Sequence, residues 1–123
     1  ALDTGRYNNL AVRMNRQGQE IDSLKFANTH EGCEMLIEQF KSHAHDTLVG
    51  LEGLGTCSNV LLSRVAQQGF TIKSIMPLAI KRHKDYFTQT VKNDHYDALV
   101  TADFLRLQHQ RLKNFDVKQS QNI

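Results

Sequence analysis

The 123 residues make one domain's length, and a 40% hydrophobic, 23% charged composition is that of an ordinary globular protein. No run approaches the roughly 20 apolar residues of a membrane-spanning helix, and no basic or apolar leader opens the sequence, so a transmembrane or secretory reading of these residues is excluded and a cytoplasmic setting is expected. The net charge of +2 hides a gradient: residues 1 to 69 carry six Lys/Arg against eight Asp/Glu, residues 70 to 123 nine against five, so any polyanion-facing surface belongs to the second half.

In chain order, Ala1 to Asp3 reads as the end of a strand. Asn9 to Asn15 alternates, and the turn residues Arg16-Gln17-Gly18-Gln19 lead into a second alternating run with Ile21, Leu24 and Phe26, which predicts a hairpin inside a three-stranded antiparallel meander. Asn28 or Thr29 caps a first helix, with Glu31 placed for a capping box and Met35, Leu36, Ile37 and Phe40 as its buried stripe, ending near His43. Thr47 to Leu51 is a short apolar strand closed by Glu52. A glycine-rich turn and a second helix, Cys57 to Gln68, follow. Phe70 to Met76 is a further buried strand. Pro77 opens a third helix over Leu78 to Thr88, and a fourth runs from Asp94 to Asn114. The fold class expected is α/β: a mixed five-stranded sheet, three antiparallel strands then two parallel ones, with helices on both faces. The domain spans 1–114, with 115–123 a polar tail or linker. Cys33 and Cys57 lack CxxC spacing and read as reduced, buried thiols.

Asp94 and Asp97 sit three apart where a helix begins, and an N-cap with an acidic residue at N3 accounts for them without any ligand. Asp3 and Glu52 are different, because each closes an apolar strand, where carboxylates are costly and functional groups common. If the two strands are neighbours, their backbones lie about 4.8 Å apart, and a helix beside that edge can bring Asp94 and Asp97 to the same place. Converging carboxylates repel by about 4 kcal/mol per pair at 4 Å and an effective dielectric of 20, so such a cluster calls for a divalent cation. Oxygen-only ligands select Mg²⁺ or Mn²⁺.

Asp3 on a first strand, Glu52 within VGLEGLG, and Asp94 and Asp97 within VKNDHYDALV resemble the DEDD transposases, together with QQGFTIKSIMP and DALVTADFL. That family includes the transposases of bridge-RNA-guided insertion sequences and Piv-type DNA invertases, and its N-terminal domain resembles the RuvC resolvase, a ribonuclease H-like fold. Asn93 departs from the pattern, which usually has Thr there. The resemblance implies that Asp3, Glu52, Asp94 and Asp97 are catalytic and coordinate Mg²⁺ (or Mn²⁺) for DNA cleavage and strand exchange. It also implies a bacterial, DNA-associated protein, a homo-oligomer on DNA, a possible guide-RNA partner, and a catalytic serine in a C-terminal domain that nothing in these residues matches. Lys81, Arg82, Lys84 and Lys92 are the candidate nucleic-acid contacts; taken alone, the cluster is better explained as a solvated helix face, while for Lys92, beside the acids, a solvated lysine and a phosphate contact stand level.

Other chemistries are weakly supported. Gly50-Leu51-Glu52-Gly53-Leu54-Gly55 is neither GxGxxG nor a P-loop, and a tight turn suffices. The six histidines form no i, i+4 ligand pair, and Ser58 and Ser63 lack an elbow motif. The competing readings are a stand-alone RuvC-like Holliday-junction nuclease and a non-catalytic nucleic-acid-binding module in which the acids only cap and solvate.

Overall fold

A computed structural model describes residues 1–5, 7–52, 59–85 and 94–114, with the backbone alone at positions 59, 60 and 94. Five strands form one sheet in the order β3-β2-β1-β4-β5: β1 (Leu2–Asp3), β2 (Asn8–Met14), β3 (Glu20–Ala27), β4 (Leu48–Glu52) and β5 (Thr71–Ile75). β1, β2 and β3 pair antiparallel, while β4 runs parallel to both β1 and β5, as the pattern of the sequence predicts. The β2–β3 connection is closed by Asn15, whose side-chain oxygen accepts from the backbone of Gln17 and Gln19, and by Gly18 at φ +85°.

Among the described residues, four α-helices cover both faces: α1 (His30–Phe40), α2 (Asn59–Gln67), α3 (Pro77–Lys84) and α4 (Asp94–Gln108). On one face Leu2, Ala11, Phe26, Leu51 and Ile72 pack with Cys33, Leu36, Ile37 and Phe40 of α1 and with Leu61, Leu62 and Val65 of α2. On the other, Ile75 packs with Ile80 of α3 and with Val100 and Leu105 of α4, and Leu10 and Val12 meet Ala98. Burial of these side chains, each removing about 1.5–3 kcal/mol of apolar exposure, holds the layers together.

Of the two caps the sequence offers, Thr29 is the one used, its hydroxyl accepting from Gly32 N at 3.1 Å, and three local expectations change. Position N3 is therefore Gly32, and Glu31 contributes only its charge to the first turn. The substitute at N3 is steric: a Cβ on Gly32 would lie 1.9 Å from the Ala27 carbonyl oxygen, so a bare backbone is what lets α1 start against the end of β3. Met35 is 53% exposed, and Cys33 takes the interior place expected for it. α1 stops at Phe40, and a 3-10 segment, Lys41–Asp46, carries Ala44 into the core.

The fourth helix also ends early, at Gln108, followed by a 3-10 turn, His109–Arg111. Leu112 then packs against the α3/α4 core, Lys73 Nζ donates to the Leu112 carbonyl at 3.1 Å, and Asn114 bridges antiparallel to Lys73. The chain leaves the helix because β5 is an edge strand, and folding back satisfies part of its unpaired backbone. At the sheet's other end β2 and β4 outrun the short β1, and an apolar groove of about 890 Å³ opens between them, lined by Val12, Phe40, Leu48, Val49, Ala102 and Leu105 among others. Cys33 is a free, buried thiol, its pKa raised by burial and by Glu34; Cys57 lies outside the described residues.

Candidate active site

Strand register decides where the first two acids point. Leu2 of β1 pairs with Leu51 of β4, and both leucines enter the α1/α2 core. Because successive strand residues face opposite sides, Asp3 and Glu52 are the next residues on adjacent parallel strands, on the face covered by α3 and α4. Their pairing partners confirm that side: Asp3 is opposite Leu10, which packs on Ala98, and Glu52 is opposite Ile75, which packs on Val100 and Leu105. Asp3 is half-buried; Glu52 is exposed at the C-terminal edge of the sheet.

α4 supplies the third acid from above that edge. Asp97 is its fourth residue, next to Ala98, which is 1% exposed and fixes the helix against β2. The Asp97 carbonyl accepts from Thr101 Oγ1 at 3.0 Å. Its carboxylate Oδ1 is ion-paired with Lys84 Nζ and accepts no well-aligned hydrogen bond, so it is engaged by charge rather than spent on capping the helix. Asp94 opens α4, but its side chain lies outside the described residues, as do Lys92 and the glycine-rich turn at 53–58. Among the described residues no three His, Cys, Asp or Glu side chains close into a group of metal-binding size. What the structure brings together is Asp3 with Glu52 at one strand edge and Asp97 on the helix covering that face. The donors are all carboxylate oxygens, a set that suits a hard divalent ion.

Lys81 and Arg82 are exposed on the last turn of α3, where the helix dipole favours cations; Lys84 is half-buried. Sequence reasoning missed the cluster that holds α3 to α4. His83 Nε2 lies 2.8 Å from Asp103 Oδ2, Arg106 Nη2 donates to Asp103 Oδ1 at 2.7 Å, and the His83 ring meets Phe104 edge-on at 5.6 Å. Burial pushes the Asp103 carboxyl up, but the bonds from Arg106 and His83 outweigh it and leave its pKa below the usual aspartate value. The i, i+3 spacing of Asp103 and Arg106 was legible; His83, twenty residues away, carried no local signal. The apolar groove between β2 and β4 is lined by none of the candidate acids, and Asp3 and Glu52 lie toward the opposite end of β1 and β4. No described helix is long and apolar enough to cross a membrane.

Comparison with known proteins follows the same lines. The family model for IS110-type DEDD proteins, described as a transposase, matches residues 1–123. Among solved structures, T. thermophilus RuvC in complex with a Holliday junction substrate superposes with a TM-score of 0.53 at 9% identity, covering 93% of this chain and 96% of that one. At that identity the likeness speaks for the fold. A search of curated proteins gives no match.

Proposed function

The chain belongs to the IS110-type DEDD transposase family, and from that membership and its RuvC-like fold we propose that it is the catalytic domain of a DNA transposase or site-specific recombinase cleaving phosphodiester bonds. Asp3, Glu52, Asp94 and Asp97 would hold Mg²⁺ or Mn²⁺, which supplies Lewis acidity at the scissile phosphate. The observation that carries this reading is the parallel Leu2↔Leu51 register, which aligns Asp3 and Glu52 on one face beneath the helix bearing Asp97.

In this reading the carboxylates fix the ion's position relative to the sheet, and a rigid sheet edge keeps them oriented through the reaction. Exposed Lys81 and Arg82, and Lys92 outside the described residues, hold the nucleic-acid backbone without reading its sequence. Guide-RNA dependence and assembly on DNA are parts of the same proposal. The test is cleavage of supercoiled plasmid with Mg²⁺, Mn²⁺ or EDTA. Nicking is expected only with a divalent ion, and Glu52→Gln and Asp97→Asn should each slow it by about a hundredfold or more. Variants that cut like the unaltered chain would overturn the assignment.

A second reading, a stand-alone resolvase, is favoured by one observation: the RuvC neighbour was solved on a Holliday junction. Preferential cutting of a four-way junction over linear duplex of the same arms would select it.

A further inference from the structure

Among the described residues, Lys84 is the cation that an ion pair joins to a candidate ligand. It lies in the last turn of α3, and its Nζ pairs with Asp97 Oδ1, the side chains being 32% and 36% exposed. The pair is no accident of a loose surface lysine, because α3 is held against α4 independently by His83–Asp103 and by the edge contact of His83 with Phe104. Ile80, one turn back, is buried in the same interface. The position of the Lys84 backbone over Asp97 is thus set by packing, and its ammonium partners an oxygen that accepts no aligned hydrogen bond.

Resting on the metal-site reading above, we propose that Lys84 is an exchangeable counter-ion: it neutralises Asp97 while no divalent cation is bound, and releases it on cation binding. The electrostatics require an exchange of this kind. A carboxylate oxygen that binds a divalent ion would hold the Lys84 ammonium beside a charge of +2, with twice the repulsion of two unit charges at that distance. Without Lys84, by contrast, Asp97 would stand with the other acids uncompensated. Lysine is suited to both states, since its ammonium is a compact charge with three rotatable donors on a flexible stem, able to leave one oxygen for another without distorting the helix. No bond is made or broken; only the partner of the ammonium changes.

The experiment is a calorimetric MnCl₂ titration of the chain and two variants. Lys84→Met removes the competitor, and Mn²⁺ should bind about three- to tenfold more tightly than to the unaltered chain. Lys41→Met, a charge-matched change where the structure pairs Lys41 with Glu38 on the end of α1, should leave the affinity within about twofold. A Lys84→Met affinity equal to or weaker than that of the unaltered chain, or equal tightening in Lys41→Met, overturns the proposal. Absence of Mn²⁺ binding to the unaltered chain overturns it together with the metal-site reading, so the two failures are distinguishable. An independent readout needs no substitution: the side-chain ¹⁵Nζ resonance of Lys84 should be visible and slowly exchanging without Mg²⁺ and lost to solvent exchange at saturation. A signal unaffected by Mg²⁺ also counts against the exchange.

Discussion

Asp97 and Asp103 lie six residues apart on one helix and are held by neighbouring residues of α3, Lys84 and His83, yet they differ in kind. Asp103 is a structural carboxylate: it is charged, 18% exposed, and bonded on both oxygens. Its folded pKa lies below the unfolded value, so the stability it contributes is complete above the unfolded pKa and is lost as pH falls through the lower folded one. Asp103→Asn should therefore cost about 1–2 kcal/mol at neutral pH in urea denaturation, with the deficit shrinking in strong acid, where both chains carry a neutral side chain. Asp97, with an under-used oxygen, should behave oppositely. Asp97→Asn is expected to leave metal-free stability within about 1 kcal/mol, as for a partly exposed pair, and to abolish stabilisation by Mn²⁺. In the unaltered chain that stabilisation should reach about 2.7 kcal/mol at a hundredfold excess over Kd, measured by thermal melts. From sequence the pair Asp94/Asp97 could be capping or ligation; the side-chain partner of Asp97, on a different element, is information that local spacing does not contain.

Elements were legible where one periodicity acted alone. Leu10 and Val12 alternate along β2, Leu24 and Phe26 along β3, and Leu36, Ile37 and Phe40 share one side of a helix, so β2, β3 and α1 appear where expected. Boundaries failed where a tertiary contact outweighed the local signal. Glu31 is a capping-box residue only with Asn28 as the cap; with Thr29, the other cap the sequence offers, N3 is Gly32, which the approach of α1 to Ala27 makes obligatory. Gly32→Ala should consequently destabilise the fold by about 2–3 kcal/mol in urea denaturation, despite alanine's better helix propensity, since the obstruction is backbone and cannot rotate away. Thr29→Ala should cost about 1 kcal/mol. Leu112 likewise satisfied the helical pattern of α4 and was expected to continue it, but the edge of β5 draws it out of the helix.

At the scale of the molecule, the mixture of parallel and antiparallel pairs followed from element sequence, because strand–helix–strand connections favour parallel neighbours while hairpins demand antiparallel ones; the strand order β3-β2-β1-β4-β5 did not. The adjacency of β1 and β4, on which the candidate site depends, was a conditional in the sequence and is a fact in the structure. The basic second half of the chain carries its own expectation. Replacing Lys81 and Arg82 together by glutamine should weaken duplex binding at every sequence tested and flatten the slope of log affinity against log salt by about two, read by fluorescence anisotropy.

The strands bearing Asp3 and Glu52 are interior to the sheet, flanked by β2 on one side and β5 on the other. Leu51, beside Glu52, is 1% exposed. Edge fraying at β3 can therefore come and go without changing the relative height of those two carboxylates. In deuterium labelling, the Leu51 amide should be among the last to exchange and the β3 amides among the first, which would make the strands bearing Asp3 and Glu52 the stillest part of the sheet rather than its hinge.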